Sequence, residues 1–100
     1  MFSFYLDLIK RSLKELYMLI GVPKEIKNHE YRVGMTPASV RELNDSGHLV
    51  MVETLAGNGI GSSDKDYIAA GAEIVNSAAE IYARAEMIVK VKEPQASERA

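Results

Sequence analysis

The residue types best suited to chemistry stand in three places. "IVKVKEP", residues 88–94, sets Lys90 and Lys92 two apart in an apolar run that closes at Pro94. Residues two apart share a face of a strand, and a buried parallel strand is ordinarily an unbroken Val/Ile/Leu run. An ammonium inside such a strand is costly unless a carboxylate pairs with it or it loses its proton. Lys92 lies nearer the carboxyl edge, where an ammonium can reach a bound substrate. Lys90 lies deeper and is expected to have a carboxylate partner. The alternative is an edge strand whose two lysines face solvent.

The second place is the connection 23–35, "PKEIKNHEYRVGM". It is long for a small domain, and such loops are frequently functional. It carries Lys24, Glu25, Lys27, His29, Glu30 and Arg32. Arg32, between Tyr31 and Val33, is expected to be held partly buried, with its planar fork presented to a carboxylate. A solvated charged loop is the competing interpretation. His29 reads as an exposed loop residue, and His48, opening a strand after Gly47, as structural.

The third place is "AGNGIGSS", where Gly57, Gly59 and Gly61 separate a strand from a helix. A G-x-G-x-x-G dinucleotide fingerprint needs glycine at 62, which is Ser62, and a tighter turn. The loop is therefore read as a structural turn whose glycines supply positive φ, and no cofactor-binding residue is assigned.

The elements that must position these residues alternate along the chain. "MLIGV" is a short strand closed by Pro23. "TPASVRELNDSG" is a helix with Thr36 as N-cap, Pro37 at its first position, Val40 and Leu43 facing inward and Gly47 as its stop. "HLVMVET" is a second strand. "SSDKDYIAAG" pairs Ser63 with Asp66 in a capping-box variant and ends at Gly71. "AEIV" is a strand, "SAAEIYARA" a helix with a full capping box in Ser77 and Glu80, and "MIVKVK" the last strand. This order predicts an α/β fold: a parallel, Rossmann-like sheet with flanking helices and right-handed crossovers. In such sheets ligands bind beyond the carboxyl ends of the strands, and "PKEIKNHEYRVGM", "LAGNGIGSS" and "KEP" are the segments that follow strands.

Residues 1–17 differ. Phe2, Leu6, Ile9, Leu13 and Leu16 form one apolar helical stripe, while Asp7 interrupts any signal-peptide core. The segment is expected to be a leader outside the domain, either an amphipathic helix or upstream nucleotide sequence translated from an early start, with the domain opening at Met18. Composition narrows the classes further. The chain has 100 residues, a formal charge of −2 and no cysteine. Scattered basic residues argue against nucleic acid or an anionic membrane as partner. Without thiolates, and with His29 and His48 far apart, no metal site is assigned. No apolar run is long enough to span a bilayer, and a cytoplasmic location is expected.

"GVPKEIKNHEYRVGMTPASVRELNDSGH", "AGNGIGSSDKDYIAAGA" and "IVKVKEP" together resemble the N-terminal part of the alanine dehydrogenase and nicotinamide nucleotide transhydrogenase family. The resemblance covers residues 18–100, with Gly21, Pro23, Glu25, Glu30, Arg32, Val33, Thr36, Pro37, Val40, Leu43 and Gly47 at the family's spacing. Lys92 and Glu93 match the alanine dehydrogenase branch, where transhydrogenases resemble "KVNAP". The resemblance implies reversible NAD-dependent oxidative deamination of L-alanine to pyruvate and ammonia. It makes Arg32 the ligand of the substrate carboxylate. It gives Lys92 both binding and catalytic roles, contacting the carboxylate or carbonyl oxygen and stabilising charge as the imine forms and is hydrated.

The resemblance further implies that NAD is bound by a domain absent from this chain, that a catalytic histidine lies beyond residue 100, and that the full-length enzyme is a homo-oligomer. Residues 18–100 are then the opening part of an incomplete substrate domain, inactive alone. A stand-alone binding module, a gene stub and a transhydrogenase alpha-chain relative are the alternatives. Two departures stand out: His29 replaces an expected asparagine, and Leu55 an expected glycine.

Overall fold

In the computed structural model, residues 18–26 and 30–91 are described; the leader 1–17, Lys27, His29 and Lys92 lie outside them. Strands β1 (Leu19–Val22), β2 (Leu49–Glu53), β3 (Glu73–Val75) and β4 (Met87–Ile88) alternate with helices α1 (Pro37–Asp45), α2 (Asp64–Ala69) and α3 (Ala78–Arg84). All strand pairs are parallel, in the order β3-β2-β1-β4. The expected α/β class, a parallel sheet with flanking helices, is the fold found.

Local chemistry explains the helices. The Ser39 N–H donates to the Thr36 hydroxyl at 3.2 Å and Pro37 opens α1. The Ser63 N–H donates to Asp66 at 2.8 Å and the Asp66 N–H donates back to Ser63 at 3.2 Å, completing the capping box of α2. The box expected for α3 is only half formed. The Glu80 N–H donates to Ser77, but the Glu80 carboxylate accepts from Arg84 Nη1 at 2.9 Å. Arg84 also bonds Glu73 of β3 and holds that carboxyl below its usual range. A paired guanidinium one turn away outcompetes a lone backbone N–H for the carboxylate.

The apolar run of β2 follows from burial on both faces. Val50 and Val52 pack with Ile20, Val22, Val40 of α1 and Tyr67 of α2, while Met51 packs with Val75 and Ile81 of α3 on the other face. Tyr67 is fully buried, and its hydroxyl donates to the Met35 carbonyl at 2.8 Å. Among the described residues no helix is long and apolar enough to cross a membrane.

The last strand departs from expectation. Its ladder covers Met87 and Ile88 and ends where the Val89 N–H donates to the Gly21 carbonyl at 3.0 Å. Lys90 and Val91 leave the sheet because the 23–35 connection takes over their bonding. Strand order then defines the crevice. The chain steps outward from β1 to β2 to β3 and returns to the far side of β1 as β4. The carboxyl ends of β1 and β4 flank the point where winding reverses, the place where open parallel sheets bind ligands.

Candidate functional site

Two loops beyond the strand ends enclose a pocket of about 340 Å³. The 23–35 connection contributes Lys24, Glu25, Glu30, Tyr31 and Arg32; the turn after β2 contributes Leu55, Ala56, Asn58 and Gly59. The loops are pinned to each other and to the sheet. The Lys24 N–H donates to Glu53 at the end of β2 at 2.8 Å. A Cβ on Gly59 would lie 2.1 Å from the Tyr31 carbonyl oxygen, so only glycine allows this approach. Gly57 is likewise closed in by Tyr67 and the Ser62 carbonyl. Of the three loop glycines, Gly61 adopts positive φ, at 78°. The expectation that all three serve φ is corrected: two of them serve close packing.

Arg32 is held, but not by burial. Its side chain is 67% exposed, against the expectation of a partly buried guanidinium. Its neighbour Tyr31 is itself exposed, so no apolar wall forms around the cation. Glu30, whose side chain is buried, does the holding: Arg32 Nε donates to Oε2 at 3.0 Å and Nη2 to Oε1 at 3.1 Å, and the Arg32 backbone N–H also donates to Oε2. The hydrogen bond to Glu30, then its charge, raise the arginine pKa and keep it cationic. Glu30 engages Nε and Nη2 and does not use Nη1. A guanidinium has five N–H donors, so the end of the fork stays suited to a second carboxylate. The arrangement sets a cationic fork at the mouth of a pocket.

Lys90 has the carboxylate partner expected for it. Its Nζ lies 3.3 Å from Glu25 Oε1, with side-chain exposures of 6% and 2%. Lys90 is thus no solvated edge lysine. His48 is structural, as expected: its Nδ1 accepts the Met18 N–H at 3.1 Å. Among the described residues no group of acidic or histidine side chains is placed to hold a metal ion.

Sequence reasoning assigned no role to Glu25, Glu30, Leu55 or Asp64. The expected glycine at 55 was the available signal, for Leu55 has φ of 68°. Asp64 clamps it there, accepting the Leu55 N–H at 2.9 Å and the Thr54 hydroxyl at 2.5 Å. A left-handed non-glycine residue costs roughly 1–2 kcal/mol, and the half-exposed leucine side chain recovers little by burial. Leu55→Gly should therefore stabilise the fold by about 1 kcal/mol. Urea unfolding should show a higher midpoint at unchanged slope; a lower midpoint would mean that Leu55 contacts outweigh the strain.

Residues 21–100 match the family described as alanine dehydrogenase/PNT, N-terminal domain. The chain is 56% identical over 77 residues to alanine dehydrogenase of Mycolicibacterium smegmatis, an alignment covering 77% of this chain and 21% of that protein. It is 57% identical over 83 residues to alanine dehydrogenase of Halomonas elongata, covering 83% of this chain and 22% of the relative. Among solved structures, an L-alanine dehydrogenase superposes with TM-score 0.78 at 58% identity over 81% of this chain and 22% of its own. A transhydrogenase from Sinorhizobium meliloti superposes with TM-score 0.74 at 36% identity, covering 80% of this chain and 22% of its own. The chain spans about a fifth of the length of the relatives it matches.

Proposed function

The chain belongs to the alanine dehydrogenase/PNT N-terminal domain family, and from that premise we propose that it supplies the substrate-carboxylate side of the active site of an NAD-dependent L-alanine dehydrogenase. The reaction is reversible oxidative deamination of L-alanine to pyruvate and ammonia. The observation that carries this reading is Arg32, fixed by a buried glutamate at a pocket beyond the carboxyl end of β1. Lys92 and Glu93, the branch-specific residues, and the higher identity to alanine dehydrogenases favour this activity over transhydrogenation.

Arg32 anchors the carboxylate shared by alanine and pyruvate, fixing the reacting carbon relative to the protein. Lys92 supplies the positive charge that stabilises the negative charge developing on the carbonyl oxygen on attack by ammonia or water. The residues of the glycine turn do not fit a dinucleotide. The turn carries Ser62 where the fingerprint needs glycine, and Gly57 and Gly59 serve close packing against Tyr67 and the Tyr31 carbonyl; on this proposal NAD is bound by the remainder of a longer polypeptide. On this proposal residues 18–100 are the first part of its substrate domain, and the chain by itself turns over no alanine. On the same proposal the whole enzyme is a homo-oligomer, as the resemblance implies, and works in the cytoplasm, as the composition led one to expect.

The test is NADH oxidation driven by pyruvate and ammonium in the full-length protein. Arg32→Lys keeps the charge but loses the planar fork, and should raise the pyruvate KM about tenfold, the equivalent of ~1.4 kcal/mol, with the NADH KM unchanged. Exchange of hydride between two nicotinamide nucleotides, without pyruvate turnover, would assign the chain to the transhydrogenase branch instead.

A further inference from the structure

We propose that Glu25 is a positioning residue: its buried carboxylate ties the backbone at Val91, the residue before Lys92 in the sequence, to the loop carrying Arg32, and pyruvate turnover depends on that tie. The inference rests on the functional reading above and deepens it. Glu25 is buried, at 8% exposure. Its two oxygens make different bonds. Oε1 pairs with Lys90 Nζ at 3.3 Å, and Oε2 accepts the Val91 backbone N–H at 2.9 Å.

The second bond matters most for position. The ladder between β1 and β4 ends at Val89, so among the described residues no sheet partner fixes Val91. Glu25, just beyond β1, replaces that ladder with one side-chain acceptor. Gly34 closes on the same segment, because a Cβ there would lie 2.3 Å from the Val89 carbonyl oxygen. The 23–35 connection thus grips residues 89–91 at two points while Glu30 fixes Arg32 in the same connection. Val91 immediately precedes Lys92. Lys90 then has a plain purpose: its ammonium offsets the charge that Glu25 carries into the interior.

A buried pair retained only for stability can be exchanged for apolar residues at little cost. A positioning carboxylate cannot, and that difference is measurable in the full-length enzyme. Glu25→Gln/Lys90→Met and Glu25→Leu/Lys90→Met both remove the two charges together. Glutamine keeps an acceptor for the Val91 N–H; leucine does not. The leucine pair should show a kcat/KM for pyruvate about 10–100-fold below the glutamine pair, with equal NADH KM in the two. Equal pyruvate kinetics in the two pairs would overturn the inference. Should the leucine pair not fold, Glu25→Asp withdraws the carboxylate by one methylene at constant charge. It should lower kcat/KM for pyruvate and leave the NADH KM alone, and wild-type kinetics there would equally overturn the role. Absence of pyruvate turnover in the parent enzyme would overturn the functional reading, and this inference with it.

Discussion

Lys92→Ala lowers kcat for pyruvate amination in the full-length enzyme by about 10²–10³-fold, with a much smaller change in the pyruvate KM. On the proposed reading, two cations divide the labour. Arg32 is a permanent, delocalised charge whose fork matches a carboxylate in both substrate and product. Its contribution is nearly the same in ground and transition states, and so appears mainly in KM. A lysine ammonium is a compact point charge and acts most strongly on charge that is concentrated on one atom. The carbonyl oxygen acquires such charge only as ammonia or water adds to the adjacent carbon. Removing an aligned donor to that oxygen costs turnover. Steady-state kinetics that found only the pyruvate KM altered would reassign Lys92 to binding.

Lys90→Met destabilises the protein by about 3–5 kcal/mol, the usual cost of leaving one member of a buried ion pair behind. Set against a typical total stability of about 5–15 kcal/mol, this is among the largest losses one surface-remote substitution can cause here. Glu25 stays almost wholly enclosed, bonded to the Val91 N–H but deprived of its ammonium. Methionine fills the stem's volume, so the effect reads charge and not a cavity. Urea unfolding of the full-length protein measures it. Adding Glu25→Gln to Lys90→Met should recover most of the loss, giving a coupling energy of opposite sign to the single effects. A single-mutant loss below about 1 kcal/mol would show that the pair behaves like an exposed one.

These two lysines also show where sequence stops being sufficient. That Lys90 needs a carboxylate follows from its place in an apolar run, and the structure supplies Glu25. Which of the nearby acids would serve did not follow. Glu25 and Lys90 lie far apart in the chain, and they meet only because β1 and β4 are adjacent in the sheet. Arg32 could be singled out as a carboxylate ligand because its neighbours suggested restraint. The restraint comes from Glu30, two residues away, and not from the apolar flanks, since Tyr31 turns outward.

The sequence by itself determined the order of strands and helices, the caps at Thr36 and Ser63, and the parallel α/β class, because each rests on short-range chemistry. Thr36 and Ser63 meet backbone N–H groups within one turn, and side-chain alternation along β2 needs no distant partner to be legible. Only the tertiary structure decided the early end of β4, the close-packing role of Gly57 and Gly59, the left-handed Leu55 clamped by Asp64, and the joining of Glu25 to Lys90 and Val91. The end of β4, the approach at Gly59 and the Glu25 bonds depend on which loops the strand order brings together, while Gly57 and Leu55 depend on how one turn closes on the helix that follows it. A contact between residues remote in the chain has no local pattern to announce it, and its energy exists only once the sheet has placed both partners in the same crevice.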